Sequence, residues 1–212
     1  MQRTDAERPK GRIDKRQAIL GAAFEVFAED GYHRASVDSI ALAAGVAKHT
    51  IYNHFGDKET LLRAVVADLA EQALVRNLAA VELLDRGEDL TETLTVTGLR
   101  LAECYCDERT VALRRILHAQ LPAMPDLLDL IRDTATDRVT DALAARLARL
   151  ALAGRLDVHG DPAIAAEHFG ALLTAPLEAR TRMGTGAISK SELRQVTRNA
   201  VATFLRAFGP SA

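Results

Sequence analysis

Ser36–Phe55 reads SVDSIALAAGVAKHTIYNHF, and the interpretation of the whole 212-residue chain turns on it. Val37, Ile40, Ala41 and Ala44 recur at the three- and four-residue spacing that makes one apolar helical face. Ser36 stands before that face as an N-cap, and Asp38 in the first turn suits the positive end of the helix dipole. Gly45 interrupts the pattern where a left-handed residue lets the chain turn. Val46, Ile51 and Phe55 resume it, so a second helix is expected from about Ala47 to Phe55. Its remaining faces carry Lys48, His49, Thr50, Tyr52, Asn53 and His54, each with a hydrogen-bonding group, a set too polar for a core. A short helix with such side chains beside a supporting helix is the shape that the DNA major groove accepts. The stretch is a helix-turn-helix.

Its flanks make the pattern specific. KRQAILGAAFEVFAEDGYHRASVDSIALAAGVAKHTIYNHFGDKETLLRAVV, from Lys15 to Val66, resembles the N-terminal domain of the TetR family of bacterial transcriptional regulators. The matching features are a helix with paired phenylalanines ending in Asp30-Gly31-Tyr32, the Ala44-Gly45-Val46 turn, Thr50-Ile51-Tyr52, His54-Phe55, and Asp57-Lys58-Glu59 followed by Leu61-Leu62. Two positions depart from the family pattern. Ala47 stands where a Ser, Thr or acidic residue usually caps the recognition helix, and Ala is a poor cap. His49 takes a place often held by a small residue or Pro, which makes the base-reading surface individual to this chain.

Composition agrees with a helical protein. Apolar residues are 48% of the chain while aromatics are 4%, so the core must be built from Ala, Leu and Val, and Ala and Leu favour helices. Net charge is −2, so any attraction for nucleic acid has to be local. Residues 1–16 supply such a cluster in Arg3, Arg8, Lys10, Arg12, Lys15 and Arg16. The polar start is not a signal peptide and no apolar run reaches the length of a membrane span, so a cytoplasmic protein without membrane contact is expected. The two cysteines give no disulfide framework.

The expected fold is all-α, with about nine helices. A flexible basic arm is assigned to residues 1–13, the helix-turn-helix domain to 14–57 and a sensing and dimerisation domain to 58–212. Asp57 caps a long fourth helix that no Pro or Gly interrupts before about Leu84. Leu90–Cys106 is read as a helix despite its strand-like LTETLTVTG, and Asp107–Gln120 as the next. One stripe, Leu128 to Leu150, follows Pro125. Asp161-Pro162 opens a nearly all-apolar helix that Pro176 should kink or end near Ala175. Ser189-Lys190-Ser191-Glu192 is a capping box for the last helix.

Site expectations follow. Ser36, Lys48, His49, Thr50, Tyr52, Asn53, His54 and Lys58 are assigned to double-stranded DNA. Thr50, Tyr52, His54 and Lys58 suit phosphates; Lys48, His49 and Asn53 are better placed for bases. Cys104 and Cys106 are two apart on a helix, so their thiols point in different directions and cannot bridge or share a metal. No spaced metal-ligand motif, phosphate loop or catalytic constellation stands out, so no catalytic residue, metal or cofactor is assigned. The resemblance implies the rest. It implies a homodimer formed through the last two helices, here Ile164, His168, Leu172, Leu193, Val196, Ala200, Val201, Phe204, Leu205 and Phe208. It also implies a palindromic operator, repression, and a small, mostly apolar effector. Tyr105, Leu117, His118, Gln120, Ile131, His168, Leu172 and Thr174 are the candidate effector contacts. The alternatives are a regulator switched by a protein partner or by thiol oxidation, and an enzyme with a vestigial helix-turn-helix. The intact polar face of the second helix argues against the enzyme.

Overall fold

The computed structural model describes the backbone of residues 8–182 and 186–210 and, from residue 14, their side chains. Among the described residues there is no strand. The helices are α1 (Arg8–Asp30), α2 (Val37–Ala44), α3 (Lys48–Phe55), α4 (Lys58–Val81, then a 3-10 turn Glu82–Asp85), α5 (Leu90–Tyr105) and α6 (Glu108–Gln120). After them come α7, α8 (Pro162–Arg180) and α9 (Lys190–Phe208). α7 is one run in three parts: Asp126–Ile131, a π-helical turn Arg132–Thr136, and Asp137–Leu152.

Local sequence accounts for most of these limits. Ser36 Oγ accepts from Ser39 N at 3.0 Å, Asp57 Oδ1 from Thr60 N at 2.6 Å, Asp89 Oδ1 from Glu92 N at 3.0 Å and Ser189 Oγ from Glu192 N at 3.2 Å. Each satisfies an amide that the helix leaves free in its first turn. α1 begins earlier than the sequence suggested. Its first turn holds Pro9, which that position tolerates because the missing N–H has no helical partner there. Residues 8–13 of the expected arm are therefore helical, and residues 1–7 lie outside the described residues. Pro176 does not end α8, which continues to Arg180. Buried Leu173 and Leu177 flank the proline, so packing holds the helix across the hydrogen bond that Pro176 cannot donate.

The chain divides into two compact units. The first comprises the described residues up to Leu69 together with Ile116–Leu130. It buries Ile19, Leu20, Phe24 and Phe27 of α1, Ile40 of α2, Ile51 and Phe55 of α3, and Leu61, Leu62, Val65 and Val66 of α4. The second comprises Ala70–Arg115 and the described residues from Ile131 on. Its core joins Leu143, Leu147 and Leu150 of α7, Phe169 and Leu173 of α8, and Ala200, Val201, Phe204 and Phe208 of α9. The Phe169 and Phe204 rings meet edge to face with centroids 5.0 Å apart. At Gly98 of α5 a Cβ would lie 3.2 Å from Thr197 Cγ2 and 3.4 Å from both Leu173 and Phe169, so α5 approaches α8 and α9 closely there.

This core changes the reading of α9. Leu193, Val196, Ala200, Val201, Phe204 and Phe208 were expected to face a second copy, but they are buried inside their own unit, with Leu205 half-buried. An amphipathic stripe announces that a face is covered, not what covers it. On α8, Ile164, Ala171 and Ala175 form an exposed apolar face beside His168 and half-buried Leu172. Phe204→Ala should therefore destabilise the second unit by about 3–5 kcal/mol, the cost of emptying a fully buried aromatic site. Urea unfolding followed by circular dichroism measures it.

Candidate nucleic-acid interface

α3 owes its position to two residues, Ile51 and Phe55, which are 2% and 6% exposed and anchor one face. The opposite face is open: Lys48, His49, Tyr52 and Asn53 are exposed, while Thr50 and His54 are half-buried. Gly45, at φ 65°, closes α2 in the left-handed conformation and turns the chain toward α3. Ala47 precedes α3 with extended backbone and no side-chain cap. The first-turn amides of α3 thus lack the support that Ser36 gives α2.

Three polar contacts arrange this surface. Lys48 Nζ donates to Asp38 Oδ2 at 2.8 Å, which raises the lysine above its ordinary pKa. The pair is solvent-exposed on both sides and tethers the Lys48 ammonium to the start of α2. Ser36 Oγ, besides accepting from Ser39 N, donates to Ser39 Oγ at 3.0 Å, so its one hydroxyl proton is already engaged in the capping box. Lys58, the first residue of α4, turns back on the α1–α2 connection. Its Nζ donates to the Tyr32 carbonyl at 2.9 Å and the Ala35 carbonyl at 3.0 Å, and lies 4.4 Å from the centre of the Tyr32 ring. Partial burial, together with the Glu59 and Asp57 carboxylates, pushes the Tyr32 phenol up. Hydrogen bonds to a charged donor contribute about 1.5–3 kcal/mol, more than most exposed ion pairs.

Sequence reasoning placed Lys58 at the DNA surface but found neither Asp38 as the partner of Lys48 nor the two carbonyls. Those partners lie 10, 26 and 23 residues away, beyond any helical repeat.

The proposed effector contacts are dispersed. His118 and His168 are exposed, Leu117 and Gln120 are buried, and Tyr105, Ile131, Leu172 and Thr174 are half-buried. Thr174 Oγ1 donates to the Gly170 carbonyl of its own helix. Gln120 keeps a buried Oε1 without a hydrogen-bond partner. Two clefts open in the second unit. One, of about 440 Å³, is lined by Arg76, Ala79, Ala80 and Leu83 facing Arg100, Glu103, Cys104 and Asp107. The other, about 470 Å³, includes Cys106, Val111, Ile188 and Leu193. None of the proposed contacts lines either cleft. The two thiols open on different clefts, as their spacing requires, and burial pushes both up. Among the described residues no group of three or more His, Cys, Asp or Glu is placed to hold a metal ion, and no helix is long and apolar enough to cross a membrane.

Comparison with known proteins matches two families in succession. Residues 19–65 match the bacterial regulatory proteins of the tetR family, and residues 92–210 match the C-terminal domain of AefR-like transcriptional repressors. The HTH-type transcriptional repressor Rv3405c of Mycobacterium tuberculosis is 31% identical over 199 residues, 93% of this chain and 92% of that one. The regulator UidR of Escherichia coli is 39% identical over 67 residues, so the match spans only 34% of its length. A crystal structure of a TetR-family transcriptional regulator from Mesorhizobium loti superposes with a TM-score of 0.86 at 31% identity, covering 93% of this chain and 98% of that one.

The uncapped start of α3 gives a direct test of the local geometry. Ala47→Ser should stabilise the protein by about 1 kcal/mol, because the backbone at position 47 is already extended and a hydroxyl there can accept from the first turn. A rise in the thermal midpoint relative to wild type measures it.

Proposed function

The chain belongs to the TetR family of bacterial regulatory proteins, a family of DNA-binding transcriptional regulators rather than enzymes, and we propose that it is a repressor that releases its operator when a small effector binds. The observation that carries the DNA half of this reading is the face of α3. Lys48, His49, Tyr52 and Asn53 are solvent-exposed on a helix whose other face is fixed in the core, so they can enter a groove without disturbing the fold. Lys48 can donate to guanine O6 and N7, and Asn53 can pair with adenine; Thr50, Tyr52 and His54 are suited to phosphates. Ser36 has both its hydroxyl and its amide engaged with Ser39 in the capping box, so in this reading it serves by ordering the start of α2.

The protein works as a homodimer in this reading, which two reading heads on a palindrome require. The apolar face of α8, with Ile164, Ala171 and Ala175 exposed, is the surface that supports it. The effector site lies in the second unit, and the cleft floored by Ala79, Ala80 and Leu83 supports a site on the C-terminal half of α4. α4 is unbroken from Lys58 to Val81, so displacement at one end has a stiff path to the other. An effector must bind the DNA-incompetent arrangement better than the competent one; couplings of this kind are about 1–3 kcal/mol. Thiol oxidation is the weaker input: burial raises both cysteines and lowers the thiolate fraction that an oxidant attacks.

Selection of duplexes from a randomised pool by the purified protein tests the DNA reading. It should enrich an inverted repeat with half-sites about 34–36 Å apart or a multiple of that, and Lys48→Ala should blur one position of each half-site. Enrichment of no sequence would refute the reading. For the dimer, Ala171→Arg places a charge on an exposed position without touching the core. It should yield monomers by light scattering and weak binding to the enriched duplex; an intact dimer would move the interface off α8.

A further inference from the structure

We infer that Lys58 is a positioning residue for the recognition helix, acting through the α1–α2 connection rather than through a DNA phosphate. The inference rests on the DNA-binding reading above and adds a role to a residue whose sequence position suggested only a phosphate contact.

The helix-turn-helix is attached at two ends. At its far end, α3 stops at Phe55, and only Gly56 and Asp57 separate it from α4. Gly56 has φ 78°, a conformation that other residues adopt with strain, so this link is short and sharply turned. At its near end the chain descends from α1 through Gly31–Ala35 to the Ser36 cap of α2. Lys58 reaches that second connection from the first residue of α4. Its ammonium bonds the carbonyls of Tyr32 and Ala35, and Ala35 is the residue immediately before the cap. Ala35 N also donates to the Gly31 carbonyl at 3.1 Å, which closes the connection into a compact turn. Both ends of the α2–α3 unit are thus held to one point on α4, by chain at Phe55–Lys58 and by the ammonium at Tyr32–Ala35.

The chemistry of the cage favours lysine specifically. Two carbonyl oxygens at 2.9 and 3.0 Å beneath an aromatic face at 4.4 Å fit a compact tetrahedral ammonium. A guanidinium is planar and larger, and its rigid fork sets its donors further apart, so it cannot take the ammonium's place between these two carbonyls and the ring. Arg would restore a contact to phosphate but not the cage. This asymmetry separates the two roles.

Lys58→Met and Lys58→Arg in the full chain, measured against the duplex that the wild-type protein enriches and against bulk DNA, supply the test. Both variants should lose roughly tenfold or more on the enriched duplex, the order of one lost base contact. Binding to bulk DNA should stay within about twofold and the salt slope should be unchanged, since no phosphate contact is removed. A general loss of stability would lower both affinities together and leave their ratio alone. A slope shallower by about 0.9 in Lys58→Met, with wild-type binding restored by Lys58→Arg, would establish a phosphate contact and overturn the inference. A measurement without DNA guards against variants that fold poorly. In wild-type protein the Lys58 ε-methylene protons should resonate upfield under the Tyr32 ring and return to ordinary positions in Tyr32→Leu. Ordinary positions in the wild type would also overturn it. If the wild-type protein enriches no duplex, the DNA-binding reading itself has failed and takes the positioning role with it, an outcome distinct from both.

Discussion

Eight residues are too few for a helix to persist alone in water, and both α2 and α3 have eight. Everything about the DNA-facing surface follows from that constraint. A helix this short exists only where tertiary packing holds it, and α3 has just Ile51 and Phe55 to offer a core. Those two anchors leave the remaining side chains free to face outward. Short length and a polar face are therefore one requirement seen from two sides: a longer helix with a wider apolar stripe would bury the groups that read bases.

The same constraint explains why polar contacts gather at the ends of these helices. With little apolar area available, orientation is set by the Ser36 capping box, the Asp57 cap and the Lys58 ammonium. α3 has no side-chain cap at its own start, only the exposed Lys48–Asp38 pair. Its placement is inherited from its neighbours, which lets the exposed residues vary in identity while the scaffold stays fixed.

What the sequence made legible, and what it did not, divides along chain separation. Caps at Ser36, Asp57, Asp161 and Ser189 act within three residues and were readable; so was the turn at Gly45. The Lys58 cage and the Arg63–Asp126 pair, with Nε–Oδ2 at 2.7 Å across 63 residues, depend on tertiary approach and left no local trace. The stripe on α9 was legible as a buried face, but periodicity carries no label for the covering surface, and that surface is the unit's own α5 and α8. Likewise Pro176 signalled a break by its chemistry, yet flanking leucines in the core outweighed it. The π-helical turn at Arg132–Thr136 arises inside a continuous run with no Gly or Pro to announce it.

The first unit is not a contiguous length of chain. It takes in Ile116–Leu130, including buried Ile116, Leu117, Met124 and Leu127 and the Asp126 carboxylate that Arg63 grips. As the polypeptide leaves the ribosome, the reading helices emerge well before the segment that completes their unit. Domains ordinarily fold in the order of synthesis, N-terminal first. Here that order is interrupted: a nascent chain that has exposed only the first 69 residues holds an unfinished structure until some sixty more have followed. Translation thus delays the completed DNA-reading unit until the first segment of its companion, Ala70–Arg115, has also been made.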